Sequence, residues 1–303
     1  MRPVLRDEKL ESEFQKNGYV HVPFLSVQEV KYLWDKFFEV VKSSQGHLSP
    51  KDAGIDTDYQ ITYDFTFIDR NPDHKREVFR LIDEVFRPHY EKLLKDYKPI
   101  IANYIRKEAQ TGEVPMHQNW AFADERKCGT VSIWCPLVDS HRGNGALEVV
   151  PGSHKRFGEL RGPMIPWELE GIKQEIIEND LVTCDIKAGE AIILDDSIVH
   201  YSHPNTTNDL RIAIQLILIP SEEPAIHYHM NPGVSQEIVN VLEVDHDFFM
   251  EFNPWKQPEG NKKLRELSYQ HRDLSYDEFK QRVNGPRFDE KLSFIQRMKA
   301  VFS

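Results

Sequence analysis

The chain has 303 residues, 40% hydrophobic and 11% aromatic, so it is too apolar for a disordered polymer and long enough for one large domain or two small ones. A formal net charge of −11 makes nucleic acid and anionic membranes poor partners for its overall field, while leaving local basic pockets open. Three sparse cysteines, Cys128, Cys135 and Cys184, form neither a disulfide framework nor a thiolate zinc pattern.

The first residues, "MRPVLRDEKLESEFQKNGYV", contain no apolar leader. No run of about 18 apolar residues follows, so a cytoplasmic protein without a membrane span is expected. In chain order, 6–16 and 26–43 read as helices, the second with Ser26 as N-cap and Val27, Val30, Leu33, Trp34, Phe37 and Val41 at helical spacing. Between them "GYVHVPFL" alternates as a short strand. Residues 73–96 predict a third amphipathic helix, with Val78, Leu81, Ile82, Val85 and Phe86 on one face. The texture changes near residue 100. "IIANYIRKEA", "VPMHQNWAF", "TVSIWCPLVD", "GALEVVPGSH", "LVTCDIK", "GEAIILDD", "SIVHYSH" and "RIAIQLILIP" are short, rich in β-branched and aromatic residues, and separated by Gly, Asn, Asp or Pro. That pattern predicts an antiparallel sandwich or barrel. An insertion at 155–180, helical in its second half, interrupts it where an excursion often covers a site. The expected organisation is a single domain, 1–303: N-terminal helices and a short strand over 1–97, a β-core over 98–229, and a helical C-terminal cap over 230–303.

The chemistry-bearing stretch is "PMHQNWAFADE". His117 and Asn119 lie two apart on a predicted strand and so share one face. His200 arrives much later, beside the apolar "AIILDDSIV". A His near one core strand and a lone His far downstream is the spacing of a facial triad of two imidazoles and a carboxylate, which leaves positions open on Fe(II). Arg211 follows eleven residues after His200, at the head of an apolar strand, where its planar fork suits a carboxylate. On the residues alone, pairing with Asp209 or exposure to solvent is an equal alternative.

Taken together, "HQNW", "NGALEVVPGSHK", "GEAIILDDSIVHYS", Arg211 and the opening "FQKNGYVHVPFLSVQEV" resemble the phytanoyl-CoA dioxygenase family of Fe(II)/2-oxoglutarate oxygenases, over roughly residues 11–220. The resemblance implies a mainly β protein with helical flanks, built on a double-stranded β-helix (jelly-roll, cupin-like) core. It implies that His117 and His200 are metal ligands, that Arg211 and Ser202 bind the distal carboxylate of 2-oxoglutarate, and that Trp134 lines the co-substrate pocket, though Trp134 also suits an ordinary core position.

Asn119 departs from the family, which normally has Asp there. An amide oxygen can coordinate but brings no charge, so resting iron affinity should fall and the dianionic keto acid should matter more. Three possibilities follow: an active His-Asn-His site, a site that binds metal and keto acid but turns over poorly, or a site completed by another carboxylate such as Asp124 or Glu125. Asp195 and Asp196 are candidates to orient the ligands. Halogenases also lack this carboxylate, but Asn is as large as Asp and fills the space a halide needs. "IHYHM" places His227 and His229 on one strand face, as a pocket wall, a surface strand or a second metal site. Lys155, Arg156 and Arg161 are either solvated or available to an anionic substrate. The expected function is an Fe(II)- and 2-oxoglutarate-dependent oxygenase using molecular oxygen on a small molecule, by hydroxylation or, with the same oxidant, desaturation or epimerisation. The alternative is a non-catalytic metal- and 2-oxoglutarate-binding jelly roll.

Overall fold

The computed structural model describes residues 2–56 and 61–290. The chain opens with α1 (Glu8–Asn17), β1 (Tyr19–Pro23), α2 (Val27–Val40), β2 (Asp64–Phe65) and α3 (Pro72–Leu93). It continues through β3 (Tyr97–Lys107), β4 (Val114–His117), β5 (Val131–Pro136), β6 (Glu148–Val149), α4 (Lys173–Asn179) and β7 (Val182–Thr183). It then runs through β8 (Glu190–Asp195), β9 (His200–Ser202), β10 (Arg211–Pro220), β11 (Ala225–His229), β12 (Ile238–Val244), α5 (His246–Glu251), β13 (Lys262–Ser268) and α6 (Tyr276–Val283).

Two antiparallel sheets form the jelly roll. The larger has the order β1-β8-β5-β10-β3-β2, and the smaller β4-β9-β6-β7. The short strand at "GYVHVPFL" is therefore the edge of the larger sheet, where Val20 and Val22 point into the core. The central strand β10 alternates as a strand buried on both faces must. Ile212, Ile214, Leu216 and Leu218 pack outward against Leu33 and Phe37 of α2 and Val78, Ile82 and Phe86 of α3. Arg211, Ala213, Gln215 and Ile217 point the other way. On that inner face Ile105, Trp134, Ile192, Leu194 and Ala213 meet Leu147, Val149 and Cys184 of the smaller sheet. The helices form for the expected reasons: Ser26 and Glu29 make a reciprocal capping box at the start of α2, and α3 buries the predicted Val78, Leu81, Ile82 and Phe86.

The helical cap expected over 230–303 is corrected. Strands β12 and β13 join β11 in a three-stranded antiparallel sheet, with only the short helices α5 and α6 around it. The β-branched run "IVNVLEV" is buried on both faces, Val239 and Val241 in one apolar cluster and Leu242 and Val244 in another, and pairing with β11 decides its state over any helical spacing. Strand β13 is exposed along nearly all its length. Residues 291–303 of that span lie outside the described residues. The three cysteines are free and buried. Among the described residues, no helix is long and apolar enough to cross a membrane.

Candidate active site

Strands β4 and β9 pair with His117 directly opposite His200. Their rings lie 4.1 Å apart between centroids, inclined at 53°. Each Nδ1 is bonded to a carbonyl two residues earlier, His117 to Pro115 at 2.7 Å and His200 to Ile198 at 2.9 Å. A carbonyl only accepts, so each Nδ1 carries the proton and each Nε2 keeps its lone pair. Burial lowers both imidazoles below their usual range, which favours this neutral form.

Asn119 follows on the same face. Its Nδ2 donates to Asp196 Oδ1 at 2.8 Å and to Ser132 Oγ at 3.1 Å, which turns Oδ1 back toward His117. Asp196 is fully buried, and burial pushes its carboxyl up to about 7 against the hydrogen bonds that favour the anion. Arg161, from the insertion, donates to the Asn119 carbonyl at 2.7 Å and so fixes the end of the strand.

Arg211 begins β10 and is 2% exposed. Its Nη2 donates to the Gly145 carbonyl at 2.7 Å, its guanidinium lies 5.8 Å from the centre of the Trp134 ring, and its Nη1 is buried with no partner. Ser202 donates to the same Gly145 carbonyl at 2.7 Å. Directly opposite Arg211, on β3, stands Lys107, also fully buried. Its Nζ lies within hydrogen-bond distance of the Ser202 hydroxyl and of the carbonyls of Ser202, at 3.2 Å, and His203, at 2.6 Å. Burial and the adjacent guanidinium push the Lys107 amine down to about 6, and burial pushes Arg211 down to about 9. Among the described residues, neither side chain forms an ion pair. Gly145 sits at φ 76°, and a Cβ there would stand 2.5 Å from the His203 carbonyl and 2.7 Å from Lys107 Nζ.

These parts surround one cavity of about 90 Å3. His117, Asn119, Trp134, His200, Ser202 and Arg211, the six residues singled out from the sequence, all line it. The family model for phytanoyl-CoA dioxygenase matches residues 14–213.

The chain belongs to the phytanoyl-CoA dioxygenase family.

A phytanoyl-CoA dioxygenase domain-containing protein 1 homolog of Dictyostelium discoideum is 34% identical over 129 residues, 40% of this chain and 45% of that protein. A phytanoyl-CoA dioxygenase of Arabidopsis thaliana is 32% identical over 119 residues, 37% of this chain and 40% of that one. The chain thus spans less than half the length of these relatives. Among solved structures, the non-heme alpha ketoglutarate dependent carbocyclase SnoK from nogalamycin biosynthesis superposes with a TM-score of 0.54 at 18% identity, covering 72% of this chain and 86% of that one. At that identity the likeness is one of fold.

Within this phytanoyl-CoA dioxygenase core, other candidates from the sequence have structural work. Glu125 accepts from Arg161 Nη2 at 2.7 Å and Asp195 lies 3.6 Å from Lys155, so these charges knit the insertion to the core. Arg156 donates to the carbonyls of Gly285 and Gly152. The expectation of solvated or substrate-facing cations at Lys155, Arg156 and Arg161 is thereby corrected. His227 and His229 are buried, His227 among Trp120, Phe248 and Phe252, and not on a surface strand. Among the described residues, no group of three His, Cys, Asp or Glu side chains is placed to hold a metal ion, so no carboxylate completes the His117–His200 pair; His229 Nε2 lies 3.0 Å from Gln257 Oε1. Sequence reasoning missed Lys107. The signal was available in principle, because "IIANYIRK" alternates so that Lys107 shares a face with Asn103 and Ile105.

Gly145→Ala should destabilise the protein by about 1–3 kcal/mol from its backbone conformation alone, with more from the two close contacts. Urea unfolding should show a lower midpoint at unchanged slope; an unchanged midpoint would mean that the turn has room to spare.

Proposed function

We propose that this protein is an Fe(II)- and 2-oxoglutarate-dependent oxygenase acting on a small molecule, with hydroxylation as its outcome. The carrying observation is the buried Arg211 guanidinium, without a counter-anion among the described residues and with one N–H free. A buried charge without a partner costs several kcal/mol, so this end of the cavity is built for an anion that arrives with a ligand. The opposite end offers two Nε2 lone pairs and an amide oxygen, which suit a divalent transition metal. The residues present therefore fit both groups. His117, His200 and Asn119 would hold the metal. Arg211 and Ser202 would receive the distal carboxylate of 2-oxoglutarate, Trp134 would wall its side, and Lys107 would act through Ser202. Iron and the keto acid, when bound with oxygen, supply the oxidation, converting the keto acid to succinate and carbon dioxide while the substrate is oxidised.

The chain's own contribution is orientation and charge. The Pro115 and Ile198 carbonyls hold the imidazoles in the tautomer a metal needs. Asp196 holds the Asn119 amide with its oxygen forward. Two imidazoles and an amide bring no charge to the metal, and the carboxyl held against that amide is Asp196. The apolar walls of Leu147, Leu194 and Ile105 exclude water from the cavity.

Arg211→Ala should weaken 2-oxoglutarate binding a hundredfold or more, from roughly 3–5 kcal/mol for breaking a buried pair. Arg211→Lys should recover only part, because an ammonium lacks the bidentate fork. Calorimetry with Mn(II) in place of iron measures this without turnover, and equal binding by Arg211→Ala would defeat the assignment. The same titration carries a pH signature. With its amine near 6, Lys107 is neutral at pH 7.5 in the free protein; a carboxylate beside it raises that value, so binding takes up a proton. Titrations at pH 7.5 in two buffers of different ionisation enthalpy should reveal the uptake, and Lys107→Met should abolish it.

Asn119→Asp alone would set two carboxylates within hydrogen-bond distance, and one must then keep a proton. Moving the charge cleanly needs Asn119→Asp with Asp196→Asn. That double variant should bind Mn(II) about tenfold or more tighter than the parent, about 1.4 kcal/mol per factor of ten, as read by the loss of free Mn(II) signal in electron paramagnetic resonance. No gain in the double variant would place residue 119 away from the metal.

A further inference from the structure

A second cavity, of about 390 Å3, opens beside His117 and Asn119 on the side away from Arg211. Its walls are apolar and rich in rings: Phe65, Phe67, Trp120, Phe122 and Trp255 line it, and Phe67 and Trp120 meet edge to face with centroids 5.6 Å apart. Among the described residues, no Asp, Glu, Lys or Arg lines it. An ionised group entering here would lose its hydration and find no counter-charge.

The polar groups of this wall are amides, and a chain of donors fixes their orientation. Ser132 Oγ donates to Asp196 Oδ1 at 2.6 Å. It therefore accepts from Gln215 Nε2, at 3.3 Å. That turns Gln215 Oε1 toward Asn103, whose Nδ2 donates to it at 3.1 Å. Asn103 lines the cavity, is fully buried, and is left with Oδ1 as an acceptor that has no partner. Gln118, on the same wall, is satisfied at both ends: Nε2 donates to the Ser197 and Phe157 carbonyls, and Oε1 accepts from Trp167. Apart from His117 and Asn119, whose acceptors face the metal position, one buried amide acceptor on this wall, Asn103 Oδ1, is thus left without a partner. Rigid aromatic walls favour a ligand with flat ring faces. A buried acceptor without a partner favours a ligand that brings one donor.

We propose that this cavity binds an uncharged, largely apolar ring compound whose hydroxyl or N–H donates to Asn103 Oδ1. The inference rests on the oxygenase reading for what happens to that compound, and on the cavity alone for which compound fits. Three probes share one ring system and differ only in the group offered: 2-naphthol, 2-methoxynaphthalene and 2-naphthoate. Binding is measured on the full chain with Mn(II) and 2-oxoglutarate present, by calorimetry. 2-Naphthol should bind roughly tenfold tighter than its methyl ether, and naphthoate should bind weakest. Asn103→Leu should erase the preference for naphthol over the ether while leaving the ether bound. Equal affinity for naphthol and ether, naphthoate binding as well as naphthol, or no binding of any probe at its solubility limit overturns the proposal. The three-probe comparison on the unaltered chain decides the matter even if Asn103→Leu does not fold. Should Mn(II) and 2-oxoglutarate fail to bind while naphthol still outbinds its ether, the oxygenase reading falls and this one stands.

Discussion

The antiparallel register of β10 against β3 is the constraint on which the site depends. It sets Arg211 opposite Lys107, Ala213 opposite Ile105, Gln215 opposite Asn103 and Ile217 opposite Ile101. With a side-chain period of two, these four pairs share the inner face and grade it from two basic side chains, through small and apolar groups, to two amides and then to hydrocarbon. A slip of β10 by one residue would send Arg211 to the helix-packed face and bring Ile212 inward beside Lys107. The outer row, Ile212, Ile214, Leu216 and Leu218, forbids that slip because it is the row that α2 and α3 cover. The hydrophobic packing of the helices thereby fixes where the charges of the site stand.

Much of this was legible in the chain. His117 and His200 were placed by their position on strands, and their facing register follows from one pairing. Arg211 was placed by standing at the head of an apolar strand, and of the two alternatives open for it the buried one holds. The jelly roll was legible as a run of short β-branched segments. What the sequence could not give were facts of pairing across long separations. Lys107 becomes informative only when Arg211 is known to lie across from it. Asp195 and Asp196 read alike as candidates to orient the ligands; burial against Lys155 takes one and the Asn119 amide takes the other. Lys155 and Arg161 read as surface charges because their carboxylate partners, Asp195 and Glu125, are remote in sequence. Residues 238–244 read as helix because the strand that pairs them, β11, could not be assigned as their partner by local spacing.

The network around Asn119 joins the two cavities. Asp196 and Ser132 accept or relay every amide proton from Asn119, Gln215 and, through Gln215, Asn103. Orientation of an amide cannot be fixed by packing alone, since its oxygen and nitrogen ends have nearly the same shape. Here it is fixed by one buried carboxyl oxygen, Asp196 Oδ1, which accepts from both Asn119 and Ser132. The group that presents an oxygen toward the imidazoles and the group that presents an oxygen toward the larger cavity are therefore set by the same acceptor.

The exposed strand β13 has a consequence for how copies of the chain meet. Among the described residues it ends the three-stranded sheet with no further strand on its outer side, which is the geometry that recruits a neighbour and begins a fibre. Its sequence, "KKLRELS", sets Lys262, Lys263 and Arg265 against one acid, Glu266. Two such edges approaching one another would bring basic side chains into opposition along the seam. Charged side chains along an open margin raise the cost of closing such a seam, since their own partners, Glu243, Glu266 and Asp124, would have to be given up or buried with them.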